Sequence, residues 1–305
     1  MSCAHFFFVG VPLFFLISSG YTEEWKTTES PHFKFYFKEG ERQIVPSIQF
    51  AAEKSVKRIS NILNYRVTEK TSVFITASPA ELDSLAAGKT PEWGVGFALP
   101  QKNRIILKSP RYMERLLPLE QIVCHEYAHI VLGRKTGRNS VPRWLNEGLA
   151  MYLSREMISR DEFILCQAVI LNRLIPYHSL ERGFPLSTKQ ADLAYLQSYF
   201  AVSYLVQNIH EIGIQNMLDD YVRHPNMDRI LFKHAKIGKP EFYFYCQKRL
   251  KREYGWLFLL SQSGLLWGGI TLLFIVVFLV KSVRTKHRLK QMEALENQDD
   301  PELPN

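Results

Sequence analysis

The chain has 305 residues, a formal net charge of +8, 46% hydrophobic residues and 13% aromatic residues. This length allows one or two domains, and this composition is typical of a packed globular core. The charge does not indicate nucleic-acid binding, because much of it flanks a hydrophobic segment near the end of the chain and no nucleic-acid-binding motif accompanies it.

The first 20 residues have the pattern of a signal peptide. An apolar run from Phe6 to Ile17 is followed by the small residues Ser18, Ser19 and Gly20. A short apolar core with small residues after it predicts secretion and cleavage. No Lys or Arg precedes the run, so an uncleaved membrane anchor is the alternative interpretation.

The segment from residue 21 to 110 reads as strands around one helix. Apolar and polar residues alternate over 32–38, which predicts a strand with one buried face. Helical spacing follows over 41–64, then a short strand at 73–75 and a helical turn at 80–87. A hairpin is predicted from 93–98 and 104–107, with its turn at 100–103. Because strands come first and helices follow, we predict an α+β fold with a small N-terminal antiparallel or mixed sheet.

The string HEYAH at residues 125–129 predicts a metal site on a helix. His125 and His129 are four residues apart, so they lie about 40° from each other around a helix and project from one face. Glu126 is placed to accept a proton from a water molecule on the same metal. Gly133 is predicted to end this helix.

A second helix is predicted to supply the third ligand. It opens at Pro142 and carries the string WLNEGLA at residues 144–150, with Glu147 one turn in. Two imidazoles and one carboxylate are a typical catalytic zinc set, in which the fourth position stays open for water. A purely structural zinc ion usually has four protein ligands, which argues against that reading.

These two strings resemble the gluzincin clan of zinc metallopeptidases. The region from about residue 45 to 220 looks closest to the bacterial peptidase MA-like domains. The resemblance implies that His125, His129 and Glu147 bind Zn2+ and that Glu126 is the general base. It also implies a zincin-like domain with an active-site helix and a helical C-terminal half.

Two departures from the clan limit what carries over. Zinc aminopeptidases of the WLNEG type hold the substrate's amino end with a G-x-M-x-N strand, and the nearest string here is residues 94–98, GVGFA. Aminopeptidase activity is therefore not expected. Thermolysin-type members also place an Asp where this chain has Met151, so Asn146 or a backbone carbonyl is the expected partner of a zinc histidine.

The later helices offer a candidate for stabilising the oxyanion. Helical spacing covers 163–174 and 191–209, and a break is predicted at Gly213 before a helix at 216–222. The string at 195–198 resembles the helix on which peptidase MA-like domains place such a tyrosine. Tyr195 is our candidate for a catalytic residue, and Tyr199 and His210 are alternatives.

A transmembrane helix is predicted at residues 256–280. These 25 residues carry no charge, and basic residues flank both ends. With the signal peptide, this pattern places 21–255 outside the cytoplasm, in the periplasm if the source is bacterial. Residues 281–305 then form a basic and finally acidic cytoplasmic tail.

The sequence therefore predicts a single-pass membrane zinc metallopeptidase that cuts peptide or protein substrates, most simply as an endopeptidase. The alternative is a catalytically inactive, membrane-tethered binding domain that retains the fold. The intact Glu126 argues against it, because metal binding alone does not require that base. The sequence does not determine an oligomeric state.

Overall fold

A computed structural model describes residues 24–86, 88, 94–113, 118–137, 139–155, 161–185, 187–255 and 264–296. The predicted signal peptide at 1–20 and the acidic end at 297–305 lie outside the described residues. The first eight residues of the predicted membrane span, 256–263, do so as well.

The N-terminal half forms one mixed sheet of five strands in the order β1-β2-β3-β5-β4. The strands are β1 (Lys26–Glu29), β2 (Phe33–Phe37), β3 (Thr71–Thr76), β4 (Gly96–Leu99) and β5 (Arg104–Lys108). Strands β2, β3 and β5 are parallel, while β1 and β4 run antiparallel to their neighbours. The predicted strands and hairpin are confirmed, and β4 lies at an edge of the sheet.

Eight helices among the described residues cover the sheet and build the second half, and a ninth follows near the C-terminus. They are α1 (Val45–Leu63), α2 (Pro79–Ala86), α3 (Leu119–Thr136), α4 (Arg143–Ser154), α5 (Asp161–Ile170), α6 (Thr188–Arg223), α7 (Met227–Ala235), α8 (Lys239–Glu253) and α9 (Gly264–Glu296). The α+β prediction is therefore confirmed, with the strands before the main helical part of the chain.

Alternating phenylalanines join the sheet to its helices. Phe33, Phe35 and Phe37 point to the buried face of β2, and the ring of Phe33 packs edge-on against Tyr127 of α3 at 5.0 Å. α3 in turn packs along α1. This packing fixes α3, the helix that carries HEYAH, against the rest of the core.

The prediction that Gly133 ends the active-site helix was wrong. α3 continues to Thr136, and Gly137, at φ 63°, follows its last residue. Gly133 instead allows close packing, because a Cβ there would lie 2.6 Å from Pro100 in the β4–β5 turn. The hairpin therefore rests directly on α3.

The predicted break at Gly213 was also misplaced. Helical backbone is interrupted at His210, at φ 58° and ψ 173°, and resumes through Gly213. A Cβ at Gly213 would lie 2.7 Å from Cβ of Ile209, so the glycine accommodates the kink beside it. The glycine that makes room for the kink thus comes three positions after His210, where the backbone bends.

Helix α9 is long and apolar enough to cross a membrane from Leu266 to Met292, by length and composition. It overlaps the predicted span and continues through the basic residues to Glu296. Its apolar side chains are exposed, as the 69% exposure of Trp267 illustrates. The side of the membrane on which either end lies is not determined by this helix.

Candidate metal centre

Helix α3 presents His125 and His129 side by side. Their ring centroids are 4.8 Å apart with the planes nearly perpendicular. The opposite side of the helix is anchored in the core by fully buried residues that include Val123 and Ile130. The helical spacing and this anchoring together direct both imidazoles towards α4.

Helix α4 brings a single carboxylate oxygen to both imidazoles. Oε2 of Glu147 lies 3.4 Å from Nε2 of His125 and 3.3 Å from Nε2 of His129. A tetrahedral ion bonded at about 2.0–2.1 Å holds two ligand atoms about 3.3 Å apart. The three residues thus form the group with metal-binding spacing, all ligand atoms lying within 4.8 Å of one another.

The hydrogen bond behind His129 fixes its tautomer. Nδ1 of His129 lies 2.9 Å from Oδ1 of Asn146, which as a carbonyl oxygen can only accept. Nδ1 therefore carries a proton, which leaves Nε2, on the side of Glu147, as the ring nitrogen that can bind a metal. The sequence left Asn146 or a backbone carbonyl as the expected partner of a zinc histidine, and the partner of His129 is Asn146. Met151, at the position where thermolysin-type members have Asp, is buried.

The charge state of Glu147 completes the argument for a cation. Burial raises the pKa of this carboxyl, but His129, His125 and Arg143 outweigh it and hold the pKa well below its ordinary value. Oε2 of the ionised carboxylate lies 3.3 Å from Nε2 of His129. One ionised carboxylate and two imidazole nitrogens converging at this spacing are a donor set that suits Zn2+.

Arg143 supports Glu147 from the side away from the imidazoles. Its Nη2 lies 2.9 Å from Oε1 of Glu147, leaving Oε2 for the imidazoles. Sequence reasoning missed this residue. The available signal was its position four residues before Glu147, where side chains on a helix meet.

Glu126 lies beneath the edge strand of the sheet. The side chain is buried, and a Cβ on Gly96 of β4 would lie 2.9 Å from its Oε1. A side chain at position 96 would press on the carboxylate of Glu126 and on the side chain of Ile122. Glu126 therefore lies next to β4, on the helix that carries His125 and His129.

Tyr195 of α6 lies beside the same group. Burial, followed by the charges of Glu147 and Glu126, raises the pKa of Tyr195 well above its ordinary value, and a hydrogen bond with Arg143 opposes this. The hydroxyl therefore keeps its proton at neutral pH and remains a donor. Its ring packs edge-on against Phe184 at 5.0 Å.

The two alternatives to Tyr195 lie elsewhere. Tyr199 is close enough to Tyr152 and Tyr254 to raise their pKa values, so it lies one turn further along α6 among other residues. His210 is exposed at the kink. Tyr195 is instead close enough to Glu126 and Glu147 for their charges to raise its pKa.

A second close approach, which sequence reasoning also missed, positions α4. A Cβ on Gly148 would lie 2.3 Å from the carbonyl oxygen of Ser198 and 2.7 Å from Cγ2 of Val202, both on α6. The helices therefore cross at the residue next to Glu147. The glycine after Glu147 is required by packing rather than by a turn.

The family model described as Peptidase MA superfamily matches residues 51–231, which is more than half of the chain. The chain therefore belongs to the Peptidase MA superfamily. This match covers α3, α4 and the whole of α6, and it confirms the resemblance drawn from the HEYAH and WLNEGLA strings. No curated protein matches the chain significantly in sequence.

Three solved structures are similar to 75% of this chain. One is native yeast LTA4 hydrolase, with 12% sequence identity and a TM-score of 0.42. The other two are a mutant of a two-domain M1 zinc metallopeptidase bound to L-tryptophan, with 12% identity and a TM-score of 0.39, and one bound to L-arginine, with 11% and 0.37. The match spans 38% to 51% of the length of these proteins.

Proposed function

We propose that this protein is a membrane-anchored zinc metallopeptidase that cuts peptide bonds within a chain. The observation that carries the proposal is the convergence of His125, His129 and Glu147 on one point, with the carboxylate Oε2 at 3.3–3.4 Å from both imidazole nitrogens. His125, His129 and Glu147 would hold the ion. Membership of the Peptidase MA superfamily supports a peptidase over other zinc hydrolases.

A bound zinc ion would polarise the substrate carbonyl and make a water molecule nucleophilic at neutral pH. Glu126 then accepts a proton from the attacking water and delivers it to the leaving nitrogen as the peptide bond breaks. Its burial beside Gly96 suits this role, because a carboxylate shielded from solvent is held in one place. Asn146 and Arg143 keep His129 and Glu147 in their binding orientations.

Tyr195 is proposed to donate a hydrogen bond to the oxyanion that forms on the attacked carbonyl. Its hydroxyl is protonated at neutral pH and interacts with both Glu126 and Glu147. A donor fixed in advance stabilises the developing charge without reorganisation. This role would make Tyr195 important for turnover and unimportant for metal binding.

Edge strand β4 is proposed to bind the substrate backbone. Among the described strands, β4 pairs with β5 and lies at the sheet edge, so its other side has backbone groups that an extended peptide can bind as an added strand. The string GVGFA lacks the G-x-M-x-N residues that hold an amino end. An endopeptidase is therefore proposed rather than an aminopeptidase.

Helix α9 is proposed to anchor the catalytic domain outside the cytoplasm. Its length and composition support a span, and the signal-peptide pattern before it supports the orientation. A reporter fused after Asn305 should be active only in the cytoplasm. Activity of that reporter only outside the cytoplasm would contradict this orientation.

Metal removal and restoration tests the proposed function. The full chain in detergent should digest a peptide library, lose that activity after treatment with a chelator, and regain it on adding Zn2+ but not Mg2+, because imidazole ligands disfavour magnesium. Mass spectrometry of the products should show internal cuts. Stoichiometric zinc binding without any cleavage would instead support the tethered binding domain.

Tyr195→Phe should lower kcat by about a hundredfold, the scale of losing one oxyanion donor. Zinc affinity should be unchanged, since the hydroxyl is not among the proposed ligands. Tyr199→Phe is the matched control on the same helix and should keep wild-type kcat. The reverse pattern, with Tyr199→Phe impaired and Tyr195→Phe normal, would remove Tyr195 from the proposed mechanism.

A further inference from the structure

Helix α8 exposes a stripe of aromatic and basic residues that the proposed chemistry does not use. We define the α8 stripe as Phe244, Tyr245, Lys248, Lys251 and Arg252, which are spaced i, i+1, i+4, i+7 and i+8 and so share one helical face. Phe244 is 60% exposed and Tyr245 is 42% exposed. The opposite face is fully buried, through Phe242, Cys246 and Leu250.

The charge on this face is positive. Lys248, Lys251 and Arg252 are all exposed, and the ammonium of Lys248 lies 6.0 Å from the ring centroid of Phe244. The nearby Glu253 is paired with Arg249 at 2.6 Å, and Glu241, at the other end of the helix, accepts a hydrogen bond from the N–H of Gly238. Both acids are engaged within the helix and its cap, which leaves the three cations as the main charges of the stripe.

The chain connects α8 to α9 through residues 254–263. α8 ends at Glu253 and α9 begins at Gly264. Ten residues extend at most about 34 Å, so the basic end of α8 stays close to the bilayer that α9 enters. Basic side chains held near a membrane surface are attracted to anionic headgroups, and aromatic residues such as tyrosine are enriched at the membrane–water interface.

We propose that the α8 stripe rests on the headgroups of the same bilayer and binds anionic lipids there. The inference rests on the membrane anchoring in the proposed function and deepens it: α9 holds the domain at the membrane, and α8 fixes its orientation on the surface. The catalytic group on α3 and α4 is then held at one height and one angle above the membrane. Substrates would be protein segments presented at that height.

Lipid-phase quenching of the full chain in nanodiscs tests this directly. A fluorophore is attached to the cysteine introduced by Tyr245→Cys, and the same fluorophore at Phe50→Cys is the matched control. Labelling of the wild-type chain, which has its own cysteines, gives the background. Phe50 on α1 is 70% exposed and lies 6.0 Å from the ammonium of Lys54, which mirrors the Phe244 and Lys248 pair. The discs hold either phosphatidylcholine alone or equal parts phosphatidylcholine and phosphatidylglycerol, with a nitroxide on the lipid headgroup.

We expect the nitroxide to quench the label at position 245 more strongly than at position 50, by a factor of about two or more in the anionic discs. The triple change Lys248→Gln, Lys251→Gln and Arg252→Gln should reduce quenching at 245 to the level at 50. The triple change Lys54→Gln, Lys57→Gln and Arg66→Gln removes the same charge from another exposed surface and should leave it unaltered.

Three results would overturn the proposal. They are equal quenching at positions 245 and 50, equal quenching at 245 in neutral and anionic discs, and equal effects of the two triple changes. These failures leave membrane anchoring intact, because the chain remains in the disc. Release of the wild-type chain from vesicles by an alkaline wash would instead refute the anchoring and this inference together, whereas zinc-dependent cleavage would stand.

Discussion

Glu126→Gln is expected to keep one bound zinc ion per chain and to lose hydrolysis by a factor of about 10² to 10⁴. The change preserves the shape of the side chain and removes its ability to accept a proton. The ligand atoms of His125, His129 and Glu147 are untouched, so the metal affinity should stay near that of the wild type. Metal content by atomic emission and kcat/KM on a fluorogenic peptide check the two halves of this result.

Glu120→Gln is the matched control for this change. Glu120 lies in the first turn of the same helix, away from the convergent group, so its loss should leave kcat/KM within about twofold. A Glu126→Gln protein with zinc bound and wild-type turnover would exclude the general-base role. A protein that lost zinc as well would show instead that Glu126 supports the metal site.

Gly148→Ala is expected to weaken both the fold and the metal centre. The added Cβ would lie 2.3 Å from the carbonyl oxygen of Ser198, whereas ordinary contact begins at 3.4 Å, so α4 and α6 must separate by about 1.1 Å (3.4 − 2.3). Overpacking of this kind costs about 1–3 kcal/mol in the free energy of unfolding. Glu147 adjoins the clash, and a displacement of about 1 Å at a site costs about a hundredfold in activity.

Thermal unfolding and a zinc titration measure these two effects. The melting temperature should fall by several degrees, since about 1 kcal/mol corresponds to about 2–4 °C for a domain of this size. Gly183→Ala is the control, because a Cβ there meets nothing within 4 Å. Wild-type melting and zinc affinity in Gly148→Ala would show that the crossing of α4 and α6 does not constrain the centre.

The convergent group was the part of the molecule most accessible to sequence reasoning. The HEYAH spacing is helical, and Pro142 and the WLNEGLA string mark the start and the buried face of a second helix. Local periodicity thus indicated both helices and offered Glu147 as the third ligand, and the resemblance implied the same residue. The roles of these residues in binding and catalysis remain predictions until the metal is measured.

The features that sequence reasoning missed depend on contacts between distant segments. Gly133 was interpreted as a helix end, yet it lies inside α3 where Pro100 approaches. The close approach of Ser198 to Gly148 in α4 was not predicted. Strand β1 was not predicted, because its sequence KTTE has no apolar alternation and it pairs only through the neighbouring β2. The periodicity of apolar residues indicates which face of a segment is buried, but it does not indicate which other segment packs against that face.

The hairpin of β4 and β5 touches the active-site helix at two points seven residues apart, with Gly96 against Glu126 and Pro100 against Gly133. The strand edge and the carboxylate are therefore parts of one rigid unit. If a peptide pairs with β4 as an added strand, the hydrogen-bonding register along β4 would determine which of its bonds is cleaved. The cut position would then depend mainly on main-chain pairing, and side-chain specificity would be secondary.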